Sequence, residues 1–346
     1  MRLEAGTIYF ARENSLDGTG LTDLVKIGLV ENPRTDRERL ADHQTGNPRK
    51  LELIEGQSVK THAVKYVESQ MHRAFASKRI QGEWFRFGSE AEILEAIQKA
   101  QGFAADVEER ISVFENAKKL EKVFHSGDPK PSTPEIQALL IQILVDKRIL
   151  EGYDTLTTKI KSAMKEAVAE QEEGREKFAH VTVIYSEPKF SVTEFKKKFG
   201  KSHADLIASC YYKEEKEYEE FNLIEDEVEV KIPEDVTTHL NELTKKVDTA
   251  VSARSYYELN ELLLQIREEC APYNWEIDFN EAQIKVECGV APGIEGVCTW
   301  IRELRLSNAK FNKGLLAELE PELYHQGFVQ SPPVTRTTYK WYQAAE

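Results

Sequence analysis

The sequence predicts a mixed α+β protein in three parts: a small three-stranded sheet flanked by helices, a helical middle region and a mixed α+β C-terminal region. In the first ninety residues, short β-favouring runs alternate with turn residues. The next ninety are rich in Glu, Lys, Ala and Gln, and their apolar residues recur three or four positions apart. The remainder mixes both patterns. We therefore expect separate units at residues 1–88, 89–177 and 178–346.

The N-terminal part begins with a predicted hairpin. Residues 7–11 and 24–30 are β-favouring runs, and the polar stretch 13–22 between them contains two glycines, as a hairpin loop does. Residues 33–44 predict a short helix, which ends at the Gly-Asn-Pro sequence that follows. Residues 51–54 then predict a third strand.

A second helix and an aromatic strand complete this part. From residue 59 onwards apolar residues recur three or four apart, which predicts a helix. Glu68 and His72 are four residues apart and so lie one above the other on one side of it. Residues 82–87, Gly-Glu-Trp-Phe-Arg-Phe, predict a closing strand whose aromatic rings are buried.

The middle part predicts helices on either side of a break. Residues 126–132 contain two prolines and a glycine, and a helix does not continue through such a segment. After it, Thr133 and Pro134 suit a helix N-cap and first turn. The apolar stripe that follows is typical of a bundle core, and it also suits a dimer interface. A homo-oligomer through this helical region is therefore one expectation.

The C-terminal part predicts a mixture of elements. We expect strands at 181–185 and 227–232, a hairpin pairing 275–279 with 284–288, and helices at 236–269 and 293–304. A weak internal similarity is also visible, because residues 190–197 match 306–313 and residues 204–206 match 321–323. Two small related units would explain these matches.

Charge is divided unevenly along the chain. The net charge is −14, yet residues 1–88 contain 14 Lys and Arg against 12 Asp and Glu (+2), and the remainder contains 32 against 48 (−16). The mildly basic front part can approach phosphate, whereas the acidic remainder argues against a non-specific DNA binder. We expect the acidic C-terminal region to recruit a protein partner, or to restrain the front part by occupying its basic face as a DNA mimic.

Other features of composition predict a cytoplasmic protein. The sequence has no run of about eighteen apolar residues and no signal-peptide pattern, so we expect no membrane span. Cys210, Cys270, Cys288 and Cys298 have no CxxC spacing, and we expect reduced, mostly buried thiols.

Several motifs of the front part resemble those of the GIY-YIG nuclease superfamily, most of all its phage-type branch with a KIG second motif. The motifs, in order, are Ile8-Tyr9, Lys26-Ile27-Gly28, an arginine before Leu40, then Gln44-Thr45-Gly46-Asn47-Pro48, Glu68 with His72, and Gly82-Glu83-Trp84-Phe85. The resemblance covers about a quarter of the chain and ends at Gly88. It implies a metal-dependent endonuclease that hydrolyses DNA phosphodiester bonds, in phage–host conflict or DNA processing.

The resemblance also implies a role for each matching residue. Tyr9 matches the tyrosine that orients or deprotonates the attacking water. Lys26 stands where the superfamily name places a second tyrosine, and we expect its charge to lower the pKa of the Tyr9 phenol. Glu68 matches the glutamate that holds a single Mg²⁺ or Mn²⁺ ion.

Further candidates concern the phosphate and the proton. Arg39 matches the arginine that stabilises charge in the transition state, and Arg37 is close enough in sequence to compete for that role. His43 and His72 are candidates for proton transfer or phosphate contact, and Asn47 for a hydrogen bond to the nucleic-acid backbone.

Each of these residues also has an ordinary structural explanation. Tyr9 suits a half-buried strand, and Arg39 and Glu68 suit the charged faces of amphipathic helices. Their occurrence in the right order inside matching motifs favours the nuclease. The alternative is a non-catalytic nucleic-acid- or protein-binding factor that retains the nuclease fold, which the acidic remainder and the lack of a basic DNA-binding module favour.

Overall fold

The computed structural model describes residues 3–16, 20–45, 47–169, 179–225 and 230–339. Helices and strands are mixed along these ranges, so the predicted α+β class is confirmed. Across the same ranges, no helix combines the length and the apolar character needed to cross a membrane.

An antiparallel sheet and two helices form the N-terminal part. Its elements are β1 (Gly6–Asn14), β2 (Leu21–Glu31), α1 (Asp36–Gln44), β3 (Leu51–Leu53), β4 (Val59–Thr61), α2 (Val64–Ala74), a 3₁₀ helix (Ala76–Lys78), β5 (Arg79–Gln81) and β6 (Trp84–Arg86). The strand order is β3-β1-β2-β6-β5, with β4 paired to β1. The sheet thus contains the predicted strands, widened by β4 and β5.

Residues 59–61 were predicted to begin a helix, but they form strand β4. Val59 and Thr61 are buried and flank the exposed Lys60, which is the alternation of a strand.

Two long helices follow, α3 (Glu90–Leu120) and α4 (Pro134–Ala169). The Ser89 hydroxyl accepts a hydrogen bond from the backbone N–H of Glu92 (3.3 Å) and so caps the start of α3. The predicted break at 126–132 lies between the two helices and is confirmed.

The rest of the chain alternates short strands with helices. Its elements are β7 (Ala179–Ile184), β8 (Lys189–Phe190), α5 (Val192–Phe199), α6 (Ala204–Ser209), β9 (Tyr211–Tyr212), β10 (Glu215–Leu223), α7 (Glu234–Ser252), α8 (Tyr256–Cys288), β11 (Gly293–Ile294), β12 (Cys298–Leu306), β13 (Lys310–Phe311), α9 (Lys313–Leu319), α10 (Pro321–His325), β14 (Phe328–Val329) and β15 (Val334–Tyr339). The strand predicted at 181–185 corresponds to β7. Of the strand predicted at 227–232, residues 227–229 lie outside the described ranges, and residues 230–232 form no strand.

The hairpin predicted at 275–279 and 284–288 is wrong, because these residues belong to the single helix α8. This helix is buried on two sides. Trp275 packs into the N-terminal core, while Ile277 and Ile284 pack against residues of α4. Two apolar faces on one helix give the sequence a spacing that resembles the alternation of a strand.

Two other predictions in this region also need correction. The helix predicted at 293–304 is instead β11 and β12, in which Cys298, Trp300 and Arg302 are buried at every second position. The single helix predicted at 236–269 is divided into α7 and α8, because Arg254 between them adopts a positive φ of 51°.

The C-terminal strands and short helices form a structural repeat. The first repeat is β7-β8-α5-α6-β9-β10 and the second is β12-β13-α9-α10-β14-β15. Four antiparallel pairs join them, β7 with β15, β8 with β14, β9 with β13 and β10 with β12. This pairing is unchanged when the repeats are exchanged, as in a two-fold pair. The predicted match of 204–206 with 321–323 fits this arrangement, whereas that of 190–197 with 306–313 is displaced by five residues, because β8 corresponds to β13.

The N-terminal part does not bury its core alone. Helix α8 packs against both α2 and α3, and Trp275 stacks on Tyr66 with ring centroids 4.7 Å apart. Arg110 of α3 donates to the Glu276 carboxylate (2.6 Å) across the same contact. A C-terminal helix therefore lies directly against the helix that carries Glu68.

Candidate active site

The neighbouring strands β1 and β2 place Tyr9 opposite Gly28. Tyr9 is fully buried, and its ring lies over the glycine. A Cβ atom at position 28 would lie 2.6 Å from the Tyr9 hydroxyl oxygen, closer than van der Waals contact permits. The glycine of the KIG sequence therefore provides the space that the tyrosine occupies.

Lys26, two residues before Gly28, forms a buried ion pair with Glu83. Burial alone would raise the pKa of Glu83, but the Lys26 ammonium overcomes this effect and lowers it. The backbone fixes the pair, since the N–H of Ile27 donates to the Glu83 carbonyl (3.0 Å). Lys26 thus has a carboxylate partner of its own beside Tyr9.

The Tyr9 phenol is held in its neutral form. Burial, followed by the negative charge of Glu83, raises its pKa above the ordinary value, and the nearby Arg39 charge offsets only part of this rise. Among the described residues the Tyr9 hydroxyl forms no hydrogen bond of regular geometry, although the Arg39 side chain lies close enough to interact with it. A buried hydroxyl without such a bond is unusual, and it is available to a ligand.

Helix α1 brings a cation and an imidazole to the same place. A capping box formed by Thr35 and Glu38 fixes its first turn. Arg39 is half-buried and acts electrostatically on both Tyr9 and His43. Burial and then the charges of Lys26 and Arg39 lower the pKa of His43 to about 4, so its imidazole is neutral at pH 7. Its Nε2 atom is buried and has no hydrogen-bond partner among the described residues.

Arg37 and Asn47 lie in different surroundings. The Arg37 side chain is 81% exposed, and it lies 3.9 Å from the Glu55 carboxylate. The Asn47 side-chain oxygen accepts a hydrogen bond from the backbone N–H of Arg49 (2.9 Å), and its carbonyl accepts one from Gln44 (3.0 Å). Asn47 thus stabilises the turn after α1. Of the two arginines, the structure brings only Arg39 to Tyr9.

Helix α2 supplies Glu68, which is only 5% exposed. Burial raises the pKa of its carboxyl from 4.5 to about 7, although the positive charges of His72, Arg267 and Lys26 act in the opposite direction. A carboxylate that is difficult to ionise in a dry site gains strongly from a cation placed beside it.

His72 is fully engaged by neighbouring groups. Its Nε2 donates to the carbonyl oxygen of Ile27 (3.0 Å), and its Nδ1 donates to the Glu268 carboxylate (3.1 Å). Both bonds use an N–H, as in an imidazolium. Burial alone would lower the pKa of His72, but Glu268 and then Glu68 raise it. Its geometry is that of a link between α2, β2 and α8, and its catalytic role stays a prediction.

Sequence reasoning missed two members of this network, Glu268 and Arg79. Arg79 donates to both carboxylate oxygens of Glu268, at 2.8 Å each. Glu268 lies 196 residues after His72 in the chain, and no motif connects them. A contact of this kind is visible only once α8 is placed against α2.

The residues fit a divalent cation held by one carboxylate. Across the described ranges there is no group of three or more His, Cys, Asp or Glu side chains placed to hold a metal. Glu68 acts electrostatically on the buried Tyr9 hydroxyl, which is a further oxygen near the site. A hard cation such as Mg²⁺ commonly keeps several waters and takes only one or two protein carboxylates, so this donor set suits it.

Comparison with known proteins gives one match. Residues 6–101 match the family model of the T5orf172 domain, a nuclease-associated domain of phage type. The matched segment contains the whole N-terminal sheet, α1, α2 and the beginning of α3. Neither the curated proteins nor the solved structures contain a match to this chain.

Proposed function

We propose that this protein is a metal-dependent endonuclease of the GIY-YIG type that hydrolyses DNA phosphodiester bonds. The observation that carries the proposal is that Arg39 and Glu68 both act on the buried Tyr9 hydroxyl and that Arg39 also acts on His43, so that three different elements contribute to one region. Two of these side chains bury a polar atom that forms no hydrogen bond of regular geometry among the described residues. The T5orf172 match covers all of these elements and supports the same conclusion.

Each side chain has a role that follows from its surroundings. Glu68 would hold Mg²⁺ or Mn²⁺, which supplies a Lewis acid for the scissile phosphate. Arg39 offsets the negative charge that develops on the phosphate oxygens. His43, neutral at pH 7, accepts the proton of the attacking water. Tyr9 keeps its proton, and its hydroxyl donates a hydrogen bond that orients the water or the phosphate. Lys26 keeps Glu83 ionised beside them.

In the proposed enzyme, the C-terminal region restrains the activity of this site. Helix α8 packs against α2, and its Glu268 is bonded to His72, one turn from Glu68. The charge of Arg267 on the same helix acts on Glu68. DNA and a cation would reach Glu68 more easily if α8 moved away from α2. The restraint therefore comes from helix α8, in addition to any mimicry of DNA by the acidic C-terminal surface.

The contact of α8 also favours the second candidate function, a DNA- or protein-binding factor that retains the nuclease fold without turnover. A site closed permanently by α8 would bind without cutting. Weakening the contact by Glu268→Gln separates the two candidates. A restrained nuclease should become more active, whereas a binding factor should remain without cleavage.

The test is cleavage of supercoiled plasmid and of single-stranded DNA with Mg²⁺ or Mn²⁺. The wild type should cut, and both Glu68→Ala and Tyr9→Phe should lose activity by about 10²-fold or more, as when a transition-state contact is removed. Arg37→Ala is the matched control, because this residue is exposed and lies on the same helix as Arg39. Equal cutting by all variants would overturn the site assignment. Absence of cutting under every condition, including Glu268→Gln, would favour the binding factor.

A further inference from the structure

The central segments of the two C-terminal repeats, from β8 to β9 and from β13 to β14, share a fold but differ in charge. Residues 189–212 of the first repeat contain five lysines and two acidic residues, a net charge of +3. The corresponding residues 310–329 of the second repeat contain two lysines and three glutamates, a net charge of −1. Residues 189–212 are therefore a basic segment, although the first repeat as a whole (179–223), which includes the acidic strand β10, contains 7 lysines and 8 acidic residues, a net charge of −1.

Four of these lysines lie within six residues of each other in sequence, at the end of α5. Lys196, Lys197 and Lys198 form its last turn, Lys201 lies in the turn that follows, and all four are exposed. We call them the lysine face. Lys197 is paired with Glu194 within the same helix (2.6 Å). The ammonium of Lys196 lies 4.5 Å from the centre of the Tyr211 ring, and that of Lys198 contacts the amide oxygen of Gln326 (3.2 Å).

The fold itself does not require this face. Lysines in a last turn do stabilise a helix by complementing its dipole, typically by a few tenths of a kcal/mol. Yet the corresponding helix α9 has no basic residue in its last turn. Both helices are capped in the same manner, by Ser191 and by Asn312. The second repeat thus serves as an internal control, in which the same helix forms without lysines.

We propose that the lysine face of the first repeat binds the phosphate backbone of duplex DNA. Lysine ammonium groups act as mobile point charges, which suits sequence-independent contact with phosphates. The choice of DNA as the polyanion rests on the proposed nuclease function.

Contact between the lysine face and DNA would offset the electrostatic repulsion between this chain and DNA. A protein with a net charge of −14 repels DNA at long range, and the N-terminal part carries only +2. A second basic surface on the repeat adds its own contacts with the duplex, so that binding does not depend on access to Glu68. Binding through this face should therefore be insensitive to removal of the divalent cation.

The experiment measures anisotropy of a labelled 30-base-pair duplex with the full-length protein in EDTA, which prevents metal-dependent cleavage. In the variant with Lys196, Lys197, Lys198 and Lys201 all replaced by glutamine, affinity should fall at least tenfold at about 0.1 M salt. The slope of log affinity against log salt should fall by about 0.9 for each lysine that contacts a phosphate. The matched control is Lys245→Gln with Lys246→Gln, an exposed adjacent pair on α7.

Each outcome decides the proposal. Unchanged affinity and slope in the quadruple variant would overturn it, and so would an equal loss in the control. If the quadruple variant fails to fold by circular dichroism, the single exposed change Lys201→Glu provides the same comparison, with an expected loss of at least threefold. If the quadruple variant loses binding and no form of the protein cleaves DNA, the lysine face is supported and the proposed nuclease function is rejected. If the wild type cleaves DNA and the quadruple variant binds as tightly as the wild type, the nuclease function is supported and the lysine face is rejected.

Discussion

Replacing Glu68 with glutamine should stabilise the metal-free protein at alkaline pH. Burial raises the pKa of this carboxyl from 4.5 to about 7. The folded chain therefore retains a proton that the unfolded chain releases between these two values. The stability contributed by this group is fully present below pH 4.5 and is lost as the pH rises through 7. A shift of this size corresponds to about 3 kcal/mol, and glutamine, which has nearly the same shape, has no charge to bury.

The assay is urea unfolding in EDTA at pH 5 and pH 8, followed by tryptophan fluorescence, since Trp275 lies in the same core as α2. Wild type and Glu68→Gln should differ little at pH 5. At pH 8 the variant should be more stable by up to about 3 kcal/mol. Glu55→Gln is the control, because the Glu55 side chain is 88% exposed and its loss should change neither value. A Glu68→Gln variant that is equally stable or less stable at pH 8 would refute the reasoning.

Further predictions concern the arginines and the glycine beneath Tyr9. Arg39→Ala should lower the single-turnover cleavage rate by about 10²–10³-fold, whereas Arg37→Ala should leave it within about threefold, and the reverse order would transfer the role to Arg37. Gly28→Ala should destabilise the protein by about 1–3 kcal/mol in urea unfolding, because the new methyl group meets the Tyr9 ring. Gly102→Ala, in a helix where nothing lies within 4 Å of the new atom, should instead stabilise it by about 0.5–1 kcal/mol.

The N-terminal elements could be predicted because their signals are local. Strand alternation, a Gly-Asn-Pro stop and a helical apolar spacing each depend on a few adjacent residues, and they place Tyr9, Arg39 and Glu68 on the elements where the structure has them. The choice between Arg37 and Arg39 was not local. It depends on which side of α1 faces β1, and packing decides this.

Helix α8 shows why the C-terminal part was harder to predict. One side of the helix packs into the N-terminal core through Trp275, and another side packs against α4 through Ile284. The sequence of the helix therefore shows no single apolar face. The ion-pair network of His72, Glu268 and Arg79 follows from that packing. These residues are far apart in the chain, and no regular spacing relates them. Sequence periodicity therefore does not reveal that they are in contact.

The pKa values in the site could not be obtained from the sequence either. A lysine two residues before Gly28 predicted a lowered pKa for the Tyr9 phenol. The structure instead pairs Lys26 with Glu83, and burial raises the Tyr9 pKa. The pKa values that do fall are that of Glu83, beside Lys26, and that of His43, to about 4. Burial and the identity of each partner determine these directions, and both are properties of the folded chain.

The central claim is that Glu68 holds one divalent cation beside Tyr9 and Arg39, and titration with Mn²⁺ followed by electron paramagnetic resonance tests it most directly. The account predicts one bound Mn²⁺ per chain at pH 8, with affinity that falls by about tenfold per pH unit below 7, where the Glu68 carboxyl takes up its proton. It also predicts that this binding is lost in Glu68→Gln and retained in Glu55→Gln. Equal Mn²⁺ binding by the wild type and Glu68→Gln would contradict the account.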